Sequence, residues 1–235
     1  PLSNQTVTVT TTDDDTVGYT LSGTTVTVAE TGTTATFTVV LDTQPSTDVV
    51  LTVTSADTGE ATLSPSTLTF TNGNWDSTQT VTVTGIDDVI LDGPQDTTVT
   101  IAVDDGSSDN TYDDVADQTV TVATSDDDSP GISIAQTEGS TVVGENGSID
   151  TFDAVLTTQP LSDVVVSISS ADTGEATVSP STLTFTDGNW DTTRTVIVTG
   201  VDDTIDDGNQ DTTVTISVVD ASSDDAYDPL SNQTV

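Results

Sequence analysis

Carboxylates are the only abundant side chains in this sequence that could do chemistry, and they recur at fixed places. Between residues 16 and 128 they stand where an alternating run of residues ends or where a turn begins. In a β-sandwich, loops from alternate strand connections collect at one end, so these groups could converge at that end. The acids concerned are Glu30, Glu60, Asp87, Asp88, Asp92, Asp126, Asp127 and Asp128.

A cluster of this kind favours bound cations over freely solvated loop acids. Two carboxylates about 4 Å apart repel by roughly 4 kcal/mol at an effective dielectric constant of about 20. Five such groups form enough pairs to rival the roughly 5–15 kcal/mol stability of a domain. Calcium suits irregular acidic loops because it takes about 6–8 oxygen ligands. The chain has no His or Cys, so zinc and copper are poor candidates.

The overall charge excludes several kinds of partner. Forty acidic residues face a single base, Arg194, and the formal net charge is −39. Such a surface repels nucleic acid and anionic lipid, so we expect neither nucleic-acid binding nor membrane contact in this segment. High charge with few aromatic residues is also typical of disorder. The 32% hydrophobic residues alternate regularly with Thr, however, and this favours a folded chain.

The sequence is internally repeated, which indicates a module used to build length. Ser55–Ile101 and Ser170–Ile216 lie 115 positions apart and agree at 38 of 47 positions. The motif PLSNQTV occurs both at residues 1–7 and at residues 229–235. Repetition at a fixed period is typical of tandem arrays. We therefore expect one period of a longer array.

Alternation with period two predicts short, half-buried strands separated by turns rich in Gly, Asn and Asp. About seven such runs in each copy predict an all-β chain of tandem immunoglobulin-like two-sheet antiparallel sandwiches. The predicted domains are 1–15 (the last strand and Asp linker of a preceding repeat, or a donated strand), 16–128 and 129–235. The predicted strands are Gln5–Thr10, Thr24–Val28, Ala35–Leu41, Val49–Thr54, Thr67–Phe70, Thr80–Thr84, Thr97–Val103 and Gln118–Val122.

The order of motifs resembles the Calx-β domain family, in the tandem form found in large bacterial surface adhesins. The motifs are VAETG at Glu30, SADTGEA before TLTF, the segment IDDVILD, and a closing DDD triplet. The resemblance implies a β-sandwich that binds several calcium ions at its end, beside the linker. It also implies equivalent ligands in the second repeat and in the first triplet. These are Glu145, Glu175, Asp202, Asp203, Asp207, Asp13, Asp14 and Asp15.

Two further pairs of residues have alternative interpretations. Asp109 in SSDNTY and Asp224 in SSDDAY either form a second ion site or belong to a loop anchored by the following Tyr. Trp75 and Trp190, in the motif GNW, are expected to pack in the core or at a sheet edge, and the alternative is that they stack against a ligand.

These features together predict a non-enzymatic, calcium-stiffened structural repeat in the stalk or fibre of an extracellular adhesin. Its partners would be neighbouring repeats, with Ca²⁺ rigidifying the joints. Conventional nucleophile–base pairs are unavailable because His, Cys and Lys are absent. The alternatives are a regulatory calcium sensor, an adhesive module, or a filament subunit that exchanges a β-strand with an identical subunit.

Overall fold

The computed structural model describes residues 3–206 and 208–235, and nearly all of its regular secondary structure is β. Two compact units are present, Pro1–Asp87 with Gln95–Ser125, and Asp88–Pro94 with Asp126–Val235. Each contains two β-sheets around its own apolar core. The all-β, two-sheet sandwich class predicted from the sequence is therefore confirmed.

The first unit contains nine strands in two sheets. One sheet has the order β1-β3-β7-β5 and the other β2-β9-β8-β4-β6, and only the β2–β9 pair is parallel. The strands are β1 (Tyr19–Leu21), β2 (Thr25–Ala29), β3 (Thr34–Leu41), β4 (Val49–Ser55), β5 (Ala61–Ser64), β6 (Thr67–Phe70), β7 (Gln79–Gly85), β8 (Gln95–Val103) and β9 (Gln118–Ser125).

Among the described residues, the second unit repeats this order without a counterpart of β2. Its sheets have the orders β10-β11-β15-β13 and β14-β12-β16-β17, and all their pairings are antiparallel. The strands are β10 (Ile132–Gln136), β11 (Ile149–Leu156), β12 (Val164–Ser170), β13 (Ala176–Ser179), β14 (Thr182–Phe185), β15 (Arg194–Gly200), β16 (Val214–Val218) and β17 (Gln233–Thr234).

Alternation explains why these runs form strands that bury one face. In β7, Val81 and Val83 are fully buried while the intervening Thr residues are not. Phe37 and Phe70 fill the same core from β3 and β6, and Trp75 packs against it. Trp190 packs in the same way against the second core, so the expected packing of both Trp residues is confirmed. In the described strands the only acids are Asp96, Asp150 and Asp153.

One predicted strand does not form. Residues 3–18, which include the predicted strand Gln5–Thr10, carry no strand, and the side chains of Val7 and Val9 are 86% and 80% exposed. A strand is stabilised by its pairing partner, and no sheet edge pairs with this segment. Strands β1 and β5 were not predicted. Strand β1 has only three residues, and β5 (ATLS) contains one large apolar residue where the equally short β6 (TLTF) has two.

In the part of the chain that the structure describes, the helical content consists of three short 3-10 turns: Asp105–Ser107, Thr137–Gly139 and Asp220–Ser222. Over residues 3–206 and 208–235, no helix has the length and hydropathy required to span a membrane.

Gly85, at the end of β7, allows two chain segments to approach closely. Its N–H donates to the Thr33 carbonyl over 3.0 Å, and a Cβ at this position would collide with the backbone carbonyl of Ala29. Ala29 directly precedes Glu30, so this contact brings Glu30 close to the end of β7. Gly200 makes the equivalent approach to Gly144 in the second unit.

We therefore expect Gly85→Ala to lower the free energy of unfolding of the first unit by about 1–3 kcal/mol, the usual cost of overpacking. Gly23→Ala is the matched control, because nothing lies within 4 Å of a Cβ there. Urea denaturation followed by Trp75 fluorescence in a Trp190→Phe background measures both. Equal midpoints for the two variants would contradict the proposed close packing.

Candidate metal centre

Glu30 is a buried carboxylate at the end of a strand. It follows β2, its backbone N–H donates to the Ser125 carbonyl over 3.1 Å, and its side chain is only 2% exposed. Because β2 and β9 run parallel, the residues after both strands leave the sheet at the same edge. Glu30 therefore lies beside the start of the Asp126–Asp128 triplet.

Asp88 lies in the loop that follows β7. Its Oδ1 accepts the Ile90 N–H over 2.7 Å, which fixes a tight Asx-type turn. Asp88 is half-buried, whereas the adjacent Asp87 is exposed. Two consecutive acids thus have different environments, although the sequence gives no sign of which one faces the interior.

The Asp126–Asp128 triplet is also locally ordered. Asp126 Oδ1 accepts the Asp128 N–H over 2.6 Å, and Asp126 Oδ2 accepts the Gly93 N–H over 2.7 Å. Asp126 and Asp128 are half-buried and Asp127 is exposed. Asp126 therefore connects the triplet to the loop that contains Gly93, and both of its carboxylate oxygens accept hydrogen bonds from backbone N–H groups.

Three of the predicted ligands come together. One oxygen from each of Glu30, Asp88 and Asp128 lies within 4.8 Å of the others, a spacing at which the three could hold a metal ion. Oxygens that bind calcium lie about 2.3–2.6 Å from the ion, so two ligands of one ion are at most about 5 Å apart. The observed spacing therefore fits a single coordination sphere.

Electrostatics in this chain favours a cation at such a group. Three carboxylates at this spacing repel one another, and a buried carboxylate pays an additional desolvation cost. The chain has no Lys or His, and its single Arg lies in β15. A divalent cation bound among the three carboxylates would offset this repulsion.

The other predicted ligands of the first repeat have separate environments. The Glu60 carbonyl accepts the Ile86 N–H over 3.0 Å, while its side-chain Oε2 is shielded from solvent. Oδ1 of Asp92 is likewise shielded. Within the described residues, the three-carboxylate group includes neither of them, nor the exposed Asp87 and Asp127.

The equivalent acids of the second repeat are more open. Asp203 Oδ1 accepts the Ile205 N–H over 2.7 Å, as Asp88 does with Ile90, yet Asp202 and Asp203 are both exposed. Glu145 is exposed and Glu175 is half-buried. Asp207 lies outside the described residues. No three-carboxylate group of this kind forms among the acids of the second repeat that the structure describes.

The first triplet, Asp13–Asp15, has the same local turn as Asp126–Asp128. The Asp15 N–H donates to Asp13 Oδ1 over 3.1 Å, and all three residues are exposed.

Asp109 belongs to the anchored loop, the second of the two interpretations given above. Its Oδ2 accepts the Ser46 hydroxyl over 2.6 Å, the Ser46 N–H over 2.7 Å and the Thr47 N–H over 3.0 Å. Its Oδ1 accepts the N–H and hydroxyl of Thr111 over 3.0 and 2.9 Å. The Ser46 hydroxyl first, and then the Thr111 and Thr47 N–H groups, hold the pKa of Asp109 far below its usual range.

Tyr residues complete these loops in both units. The Tyr112 hydroxyl donates to the Thr43 carbonyl over 2.7 Å, and Tyr227 makes the same bond to Thr158. Asp224 accepts the Ser162 N–H over 2.9 Å, as Asp109 accepts that of Ser46. Both Asp residues are therefore structural acceptors for backbone and hydroxyl donors.

The loop 88–94 packs against the second core, a contact that the sequence analysis did not predict. Leu91 packs against the second core, its N–H donates to the Gln159 carbonyl over 3.0 Å, and the Gln159 N–H donates to the Val89 carbonyl over 2.7 Å. One feature of the sequence could have indicated this contact: the residue equivalent to Leu91 in the second repeat is Asp206. An apolar residue replaced by an acid in nearly identical loops indicates a contact made by only one copy.

No family model matches the chain, and no curated protein matches it. Solved structures with similar folds include the calcium-binding domain CBD12 of CALX1.1, at 15% identity and a TM-score of 0.37, covering 86% of this chain and 79% of that one. The Escherichia coli chaperone DraB is similar at 7% identity and a TM-score of 0.36, covering 86% and 92%. Domains 4 and 5 of the S-layer protein SbsC are similar at 20% identity and a TM-score of 0.34, covering 79% and 68%.

With TM-scores below 0.5, none of these likenesses identifies a function, and the fold assignment rests on the strand pairing described above.

Replacing Asp109 tests the loop anchor. In Asp109→Asn, an NH₂ group faces donors where an oxygen accepted them, so we expect a loss of about 1–3 kcal/mol in the free energy of unfolding. Because folding lowers the pKa of Asp109, its contribution is present above the ordinary Asp pKa of about 4 and is lost as the pH falls below it. The stability difference between wild type and variant should thus be largest near neutral pH and shrink in acid.

Urea denaturation from pH 7 to pH 3 measures this difference. Asp105→Asn, at an exposed acid of the neighbouring 3-10 turn, is the matched control and should leave stability nearly unchanged. A stability difference for Asp109→Asn that does not depend on pH would contradict the assignment.

Proposed function

We propose that this chain is a calcium-binding structural repeat from the stalk or fibre of an extracellular bacterial surface adhesin, in which Ca²⁺ rigidifies the joints between repeats. The observation that carries the proposal is the convergence of Glu30, Asp88 and Asp128 within 4.8 Å in a chain with one basic residue. The supporting observations are the tandem repeat, the Asp triplets and the absence of Cys.

In the proposed mechanism, the cation fixes the linker between successive repeats. Asp128 stands between the end of β9 at Ser125 and the start of β10 at Ile132. A calcium ion shared by Asp128, Glu30 and Asp88 would hold this segment against the loops of the preceding repeat. Without the ion, the same acids would repel one another and loosen the joint.

Binding is expected in the range typical of extracellular modules, roughly 10⁻⁴–10⁻³ M. Such sites are filled in calcium-rich external fluids and empty in the cytosol, which fits the proposed location. Repetition at constant spacing also favours a structural array, since each repeat contributes the same length and the same joint.

We expect Glu30→Gln, Asp88→Asn and Asp128→Asn each to weaken calcium binding at least about tenfold, because each removes one charged ligand. The matched controls are Asp87→Asn and Asp127→Asn, which remove the same charge from exposed neighbours. Isothermal titration calorimetry of the full chain measures each affinity. Equal losses for ligand and control variants would show that only the overall charge matters, and would contradict the assigned site.

Chelation should both destabilise the chain and loosen its joints. A ligand that binds only the folded state adds about 2.7 kcal/mol at 100 times its Kd, so EDTA should lower the melting temperature. Small-angle X-ray scattering should show a broader distribution of interdomain angles in EDTA than in calcium. Identical melting curves and scattering profiles in both conditions would exclude the mechanism. A micromolar Kd with a large conformational change would instead favour a calcium sensor.

A further inference from the structure

The loop of residues 88–94 lies in the first repeat of the sequence but is packed as part of the second unit. The predicted first repeat ends at residue 128, and the strands before and after the loop, β7 and β8, belong to the first unit. Asp88–Pro94 nevertheless belongs to the compact unit that contains Asp126–Val235. The second unit therefore holds a segment that the first repeat supplies.

Hydrogen bonds and an apolar contact hold this loop within the second unit. The Leu91 N–H donates to the Gln159 carbonyl over 3.0 Å, and the Gln159 N–H donates to the Val89 carbonyl over 2.7 Å. The Gly93 N–H donates to Asp126 Oδ2 over 2.7 Å. The side chain of Leu91 packs against the second core. The loop is thus fixed both at its middle and near its end.

These contacts set the position of Asp88. Its Oδ1 accepts the Ile90 N–H over 2.7 Å, and Ile90 forms a parallel β-bridge with Gln159. The carboxylate of Asp88 is therefore tied to the residue that pairs with Gln159. Asp128 belongs to the same unit, and an oxygen of Asp88 lies within 4.8 Å of an oxygen of Asp128. The contacts that hold the loop on Gln159 thus also hold Asp88 beside Asp128.

A comparison with the second repeat separates the formation of the turn at Asp88 from its position. Asp203 makes the same turn, since its Oδ1 accepts the Ile205 N–H over 2.7 Å. The residue after Ile205 is Asp206, whereas the residue after Ile90 is Leu91. The turn therefore forms without an apolar residue at this place. What Leu91 adds is the attachment of the turn to a core.

We propose that Leu91 is a positioning residue of the calcium site, because its packing against the second core holds Asp88 next to Asp128 before calcium binds. This role rests on the proposed function, and it makes the calcium affinity of the first repeat depend on the second unit. Leu91 has no atom that could bind calcium, so it acts only through Asp88. When a ligand binds only one arrangement of a site, its apparent Kd rises as the fraction of that arrangement falls.

Leu91→Asp, which introduces the residue found in the second repeat, tests this role. The added negative charge would by itself attract calcium more strongly, whereas loss of the apolar packing should weaken binding. If the attached fraction of the loop falls to about a tenth, the Kd of calcium rises about tenfold, and we expect at least this change. Isothermal titration calorimetry of the full chain measures it. Unchanged or tighter binding in Leu91→Asp would overturn the proposal.

Two other substitutions in the same loop are the matched variants. Leu91→Met keeps an apolar side chain of similar volume and should bind calcium nearly as tightly as the wild type. Val89→Thr also introduces the residue of the second repeat, at a side chain that is 48% exposed, and should leave the Kd unchanged. Binding in Leu91→Met as weak as in Leu91→Asp would contradict a role for apolar packing.

A variant that weakens the second core elsewhere separates positioning from a general loss of stability. Val178, in β13, is half-buried and packs against the same core as Leu91. Val178→Ala should lower the melting temperature in EDTA and leave the Kd of calcium unchanged. If Val178→Ala and Leu91→Asp weaken calcium binding equally, the effect is one of stability and the proposal is overturned.

Amide hydrogen exchange in EDTA tests the attachment of the loop without calcium. The N–H groups of Leu91 and Gln159 should be protected in the wild type and should exchange about tenfold faster or more in Leu91→Asp. The Val53 N–H, which donates to the Ser66 carbonyl in the first unit, should exchange equally in both. Rapid exchange of the Leu91 and Gln159 N–H groups in the wild type would overturn the proposal.

The calcium titrations also distinguish this role from the proposed function. A wild-type chain that binds no calcium would overturn both. Calcium binding by the wild type that Leu91→Asp leaves unchanged would overturn only the role of Leu91.

Discussion

The constraint on which the rest of the structure depends is the repulsion among forty carboxylates in a chain with a single base. The fold keeps most of these carboxylates out of the sheets and in the loops. The described strands contain only the acids Asp96, Asp150 and Asp153, and the sheets consist mainly of Thr and Val. The remaining carboxylates lie in loops, where they are either exposed to solvent or held in contact with other groups of the protein. Asp109 is engaged by five donors, whereas one oxygen from each of Glu30, Asp88 and Asp128 lies within 4.8 Å of the others.

Because the strands contain few charged residues, the stability of each strand depends on its neighbours. Strands of Thr and Val without charged cross-strand pairs are stabilised by apolar burial and by backbone pairing, and both require a neighbour. The sequence QDTTVTI occurs in both repeats and shows this dependence. It is a strand from its first residue only in the first repeat, where β9 lies beside it. The segment around Val7 and Val9 shows the converse, since a β9-like sequence forms no strand and stays exposed without a neighbour.

Local pattern predicted most of the fold. Seven of the eight predicted runs are strands, because alternating valines in TVTVT can bury one face only in a sheet. The pattern missed β1, which has only three residues, and β5, which contains a single large apolar residue. It wrongly predicted a strand at Gln5–Thr10, because strand formation there depends on a pairing partner. Among the acids, sequence position could not distinguish Asp88 from Asp87 or Asp109 from a metal ligand, because the distinction lies in burial and in which donors approach each oxygen.

The central claim is that a cation joins Glu30, Asp88 and Asp128, and anomalous diffraction tests it most directly. A crystal of the full chain grown in calcium, with data collected at long wavelength, should show an anomalous peak about 2.3–2.6 Å from an oxygen of each residue. Well-ordered side chains with no peak at saturating calcium, or with only water between them, would contradict the account.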